Sequence, residues 1–255
     1  MKLAIYGDSF GFAYPGAKSE KFLWCNLLAE KLNGTIKNFC AVGSGVYGCY
    51  EEFLKTYHVF DLCIFLVTEP NRYYKTIELA GRKRFMSGMG QIEFYRKNFD
   101  LTPGEKQQLD WLEGWYMCSE PMYNRRMTDF ILDDIQRKKP NTVLYPCFEN
   151  SLNPRYIDEK ILSFKELLNH QLIALNINTD NFDILNYENY DNISAHFAEP
   201  YNVFIADMFY KKITTGVYDI SGLNNVKIDK SIEYYNKEDR FIRFKNEINR
   251  LNKIN

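Results

Sequence analysis

The sequence predicts an α/β fold, a three-layer sandwich with a mostly parallel sheet flanked by helices. Three observations carry that expectation. Short strand-like runs alternate with segments of helical period from the N-terminus to Val67. The third run, Asp61–Val67, is apolar almost throughout, as strands buried on both faces of a parallel sheet are. A polar or glycine-bearing corner follows each of the three runs. Strand-helix-strand alternation closes a parallel sheet because each crossover needs a helix-length connection.

The elements follow in order. Leu3–Tyr6 reads as the first strand. Ser19-Glu20 opens a helix through about Lys31, with Phe22, Leu23, Leu27 and Leu28 at helical spacing, and Asn33-Gly34 ends it. Thr35–Phe39 is a second strand, Gly43-Ser44-Gly45 a corner, Val46–Tyr57 a helix and Asp61–Val67 the third strand. Arg72–Thr102 is basic and aromatic without one clear period and reads as an insertion over the sheet edge. Helices are expected over Pro103–Cys118 and over Pro121–Lys138, the latter with Met127, Phe130, Ile131 and Ile135 on one face. Thr142–Tyr145 is a strand, Ile157–His170 a helix, Phe182–Leu185 a last strand and Glu199–Lys212 a further helix. Lys237–Lys253 is amphipathic, with Phe241, Phe244, Ile248 and Leu251 as its stripe. With no repeat and no low-complexity linker, the expectation is one domain over residues 1–255. It carries an insertion around residues 72–118 and a C-terminal helix over residues 237–253.

Composition narrows the classes of function. A formal net charge of -1, with the two signs mixed along the chain, offers no electrostatic footprint for nucleic acid. No stretch approaches the roughly 20 apolar residues that span a bilayer, and the start of the chain does not read as a secretory signal. A soluble cytoplasmic protein with no membrane partner is therefore expected. The six cysteines lack C-x-x-C spacing and sit mostly among apolar residues, which points to free buried thiols rather than a metal site or disulfide framework. No cofactor is called for.

In an open parallel sheet, ligands bind beyond the C-terminal ends of the strands. Ser9 follows the first strand, Gly43-Ser44-Gly45 the second, and Thr68-Glu69-Pro70-Asn71-Arg72 the third. These corners are expected to converge on one crevice. A serine there is a nucleophile if a base accepts its proton, or a capping turn residue if none does. Arg72 suits an anionic group or a pair with Glu69. His196 lies in a late loop before a helix, whereas His58 ends a helix and His170 sits on one, positions that suit structural roles.

Four blocks together resemble the SGNH (GDSL-type) hydrolase family: "YGDSF" at Tyr6–Phe10, "NFCAVGSG" at Asn38–Gly45, "LVTEPNR" at Leu66–Arg72 and "DNISAHF" at Asp191–Phe197. They run in the family's order, and the middle insertion lies outside the likeness. The resemblance implies an SGNH/flavodoxin-like sandwich and a serine esterase or acyl hydrolase that uses no metal. Ser9 would be the nucleophile and His196 the base, with the Ser9 amide, Gly43 and Asn71 as oxyanion donors. Two departures stand out. The third block reads Thr68-Glu69-Pro70-Asn71 where the family has Gly-x-Asn-Asp, and Ile193 stands where the family has an acid before the histidine. Asp191 is the remaining acid, so a triad with Asp191 and a Ser–His dyad are both open. The substrate would be a small-molecule or glycan ester, with O-acetylated carbohydrate one class. The blocks also resemble those of phage-type members, for which a virion-associated or released protein is expected. An acyltransferase with the same residues and a non-catalytic binding or structural module of the same fold are the alternatives.

Overall fold

Strand β1 (Lys2–Tyr6) is paired in parallel on both sides, with β2 (Thr35–Asn38) and with β3 (Leu62–Val67). β3 pairs in turn with β6 (Val143–Pro146), so the sheet runs β2-β1-β3-β6, all parallel. The structure, a computed structural model, describes residues 1–12, 18–41, 43–70, 75–79, 82–86, 89–118, 121–149, 151–156, 161–175, 193–194 and 196–228. The expected strand Phe182–Leu185 and the expected C-terminal helix lie outside those residues.

The described chain divides into two compact units, Met1–Phe12 with Leu28–Glu166 and Ala13–Leu27 with Leu167–Asn255. Two of the boundaries fall inside helices α1 (Trp24–Lys31) and α6 (Phe164–Ala174), so no linker composition marks them.

In the first unit the central strands β1 and β3 are buried on both faces, which is why Leu3–Tyr6 and Leu62–Val67 read as unbroken apolar runs, whereas β2 at the edge is partly exposed. Alternate residues Ala4, Tyr6, Cys63, Phe65, Val67 and Leu144 share a core cluster with Val46, Cys49 and Phe53 of α2 (Val46–Thr56). Tyr6 is fully buried, stacked on Phe39 at 5.1 Å and edge-on to Phe53 at 5.5 Å, and its hydroxyl is satisfied by Thr56 Oγ1 at 2.8 Å. The other set, Leu3, Ile5, Ile64 and Leu66, is buried too.

The residues beyond β3 are more ordered than their sequence suggests. Lys75–Leu79 (β4) and Arg82–Met86 (β5) form an antiparallel hairpin apart from the main sheet, and Met89–Asn98 is a helix, α3. α3 packs on α4 (Pro103–Cys118) through Ile92, Leu109 and Leu112, and Arg96 bridges to Asp110 and Glu113, both at 2.5 Å. α5 (Pro121–Lys138) keeps its expected bounds, but its buried face is Asn124, Thr128, Ile131, Leu132 and Ile135; Phe130 is exposed. α6 begins at Phe164 rather than Ile157. Ser163 and Glu166 form a reciprocal capping box there: Ser163 N donates to Glu166 Oε2 at 2.7 Å and Glu166 N to Ser163 Oγ at 3.2 Å.

In the second unit, α7 (Glu199–Thr215) buries Tyr201, Ile205, Met208 and Phe209 at helical spacing, with Phe209 stacked on Trp24 at 4.8 Å. A short antiparallel hairpin, β7 (Ile193–Ser194) with β8 (Phe197–Ala198), precedes it.

Five of the cysteines are buried and free, and Cys118 is exposed. Among the described residues no helix is long and apolar enough to cross a membrane, and no group of His, Cys, Asp and Glu could hold a metal ion. In native protein, Cys118 is expected to react with a bulky disulfide reagent within minutes. The five buried thiols should react only after unfolding in guanidinium. Rapid native modification of a second thiol would contradict this packing.

Candidate active site

The strand order reverses direction between β1 and β3, the kind of switch point where open α/β sheets bind ligands. β1 ends there at Tyr6, and Gly7 follows. A Cβ on Gly7 would meet Leu66 Cβ at 2.6 Å, so only glycine lets the two strand ends lie this close. The Gly7 carbonyl accepts from Ala41 N at 3.1 Å, which ties the corner to the segment after β2.

Asp8 is fully buried, and its carboxylate accepts from Phe10 N at 3.1 Å and from the Cys147 thiol at 3.5 Å. It caps a single 3-10 turn, Ser9–Gly11. The Phe10 ring anchors that turn against Phe164 at 5.4 Å and Phe148 at 5.8 Å. Gly11 abuts Cys40 Sγ where a Cβ would stand, and its carbonyl accepts from Asn38 Nδ2 at 2.7 Å. Asn38 also accepts from Cys40 N at 2.9 Å. Ser9 is the half-buried first residue of this turn. The capping role that would explain a serine here structurally belongs to Asp8 instead.

The second corner stands at the same edge. Gly43 has φ 71°, in the left-handed region that glycine enters without strain. Ser44 is buried beside Cys49, with Oγ and Sγ 3.3 Å apart. Burial pushes the Cys49 thiol up to about 12, against a smaller lowering from Ser44, so it stays protonated near neutrality and is no nucleophile. At the third corner, Thr68 directly follows β3, whose parallel register with β1 runs to Tyr6–Phe65. Thr68 is fully buried, and its hydroxyl has no hydrogen-bond partner among the described residues. Ser9, Gly43-Ser44 and Thr68 thus share one end of the sheet. Asn71 and Asp191 lie outside the described residues.

His196 belongs to the second unit. It sits in the two-residue turn of the β7–β8 hairpin, where Ser194 pairs with Phe197, and has φ 73° and a buried ring. Two buried amides hold this hairpin: Gln171 from α6 and Asn202 from α7. Neither is marked in the sequence, because a buried Gln or Asn carries no local signal. The other histidines are engaged or misplaced. His170 Nδ1 is 2.5 Å from the Tyr201 hydroxyl and Nε2 is 3.4 Å from Asn224 Oδ1. His58 is exposed in a 3-10 turn ahead of β3, at the edge of the sheet opposite Ser9.

No family model matches the chain, and no curated protein matches it. Among solved structures, it is similar to a chain from Desulfitobacterium hafniense DCB-2 assigned as a lipolytic protein of the G-D-S-L family. The identity is 12%, covering 82% of this chain and 98% of that one, with a TM-score of 0.38.

Gly7→Ala is expected to cost about 1–3 kcal/mol through overpacking against Leu66, read as a lower urea midpoint at unchanged slope. Gly114→Ala, inside α4 with nothing within 4 Å of its Cβ, should instead raise stability by up to roughly 1 kcal/mol. Equal effects at the two positions would contradict the close approach of β1 and β3.

Proposed function

We propose that the chain is a serine esterase or acyl hydrolase of the SGNH type. One observation carries the reading: Ser9 opens a turn at the C-terminal end of β1, at the switch point, and Asp8 rather than Ser9 caps that turn. Ser9 Oγ attacks the ester carbonyl while its proton passes to His196, and the tetrahedral oxyanion forms. His196 then protonates the departing alcohol, leaving an acyl-Ser9 ester. Water attacks that ester with His196 again as base, releasing the acid and restoring Ser9. The Ser9 amide, Gly43 and Asn71 are the oxyanion donors. The bonds that occupy both His170 nitrogens and the place of His58 ahead of β3 support His196 as base. A short acyl ester on a small molecule or glycan, such as an O-acetyl group on carbohydrate, is the proposed substrate class.

A fluorophosphonate probe is expected to label wild-type protein at Ser9 and to leave Ser9→Ala unlabelled. Ser9→Ala and His196→Ala should lose p-nitrophenyl acetate turnover to the same extent, because the two groups act as one unit. A folded wild type that takes no label and turns over no ester would favour the non-catalytic module.

Asn71→Ala should lower kcat by roughly 10²–10³-fold, the cost of one oxyanion donor. Asp191→Asn separates triad from dyad. A loss of about 10⁴-fold in kcat marks Asp191 as a triad member, and a small loss marks a Ser9–His196 dyad.

A further inference from the structure

We propose that Gln171 is a positioning residue, a backbone clamp that fixes the direction of the His196 imidazole; its catalytic consequence rests on the assignment of His196 as base. The hairpin that carries His196 has two residues in each strand, too few to hold its own shape in water. Its turn also asks His196 for a left-handed backbone at φ 73°. Histidine tolerates that conformation better than most residues but does not prefer it. Something outside the hairpin must therefore hold it.

Gln171, fully buried on α6, does so with both ends of one amide. Nε2 donates to the His196 carbonyl at 3.2 Å and Oε1 accepts from Ala198 N at 2.9 Å. Because one partner only accepts and the other only donates, the amide fits one way round. Asn202 continues the pattern, donating to the Phe197 carbonyl at 2.7 Å and accepting from Trp24 N at 3.0 Å. The carbonyls of two successive residues, His196 and Phe197, are thus each held by a buried amide. Fixing the His196 carbonyl fixes the peptide plane beyond it, and with φ already set, the Cα–Cβ bond points in one direction.

The test is Gln171→Leu, close in size but without either hydrogen bond. Gln171→Met, unbranched like glutamine, serves if the leucine variant does not fold. Gly216→Ala is the stability control. It strains the φ 84° residue that ends α7, remote in sequence from the hairpin. Relative to wild type, Gln171→Leu is expected to lower kcat on p-nitrophenyl acetate by roughly 10–100-fold with KM little changed, the signature of a misdirected catalytic group. Gly216→Ala should lower the melting temperature and leave kcat alone. Three-bond couplings of ¹⁵N-labelled protein should show His196 leaving the left-handed region in the Gln171 variants only. Unchanged kcat and unchanged couplings in Gln171→Leu or Gln171→Met would overturn the proposal, as would an equal loss of kcat in Gly216→Ala. If wild type is inactive toward ester and unreactive toward fluorophosphonate, the hydrolase reading falls, and the couplings alone decide whether Gln171 holds His196.

Discussion

The close approach of β1 to β3 at Gly7 is the constraint on which the candidate nucleophile's setting depends. β1 is bonded on both sides, so its end cannot drift. With no room for a Cβ beside Leu66, the chain passes from strand to turn at glycine. The residues that follow inherit that position. Asp8 is carried into the interior, where a carboxylate must be met by donors, and the Phe10 amide and the Cys147 thiol meet it. The first of those donors exists only because the chain turns at Ser9. The cap and the turn therefore support each other, and the serine is held without spending its own hydroxyl on the fold.

The same edge explains why several thiols gather near a serine without competing with it. Cys49 is buried, and burial keeps it protonated. Cys147 acts as a weak donor to Asp8. A hydroxyl becomes the nucleophile only if a base reaches it, whereas these thiols are buried. Small, polarizable sulfur side chains fill the space beneath the corner at little polar cost.

What could be read from the sequence was what depends on local period and on corner chemistry. β1, β3, α4 and α5 came within a residue or two of their observed bounds because their apolar spacing and their proline or glycine punctuation are contained in the segment itself. Ser9, Gly43 and Thr68 could be assigned to one edge because parallel pairing alone sets that edge. Phe130 shares the helical spacing of the stripe but not its burial, because spacing marks a stripe without saying where it ends; Leu132, not Phe130, completes the buried side. α6 starts later than its apolar spacing predicts because the capping box at Ser163 and Glu166 outweighs that spacing. The hairpin at β4 and β5 is rich in basic residues and lacks alternation, so nothing in its period marked a strand.

Gln171 and Asn202 were beyond local reading for a different reason. Their partners are His196, Ala198, Phe197 and Trp24, and the last is separated from Asn202 by 178 positions. A buried amide is defined by what it bonds rather than by its neighbours in the chain, and the two candidate catalytic groups differ accordingly. Ser9 is held by exclusion: glycines permit close backbone contact, and any added atom collides. His196 is held by satisfaction: amides saturate successive carbonyls, and any apolar replacement leaves a buried carbonyl and a buried N–H unpaired. The first device tolerates loss of volume but no gain, the second tolerates neither loss of polarity nor change of length. A chain can therefore preserve its Gly-Asp-Ser corner through purely steric selection. The histidine end depends on two side chains, on two different helices, that no motif around the histidine would reveal.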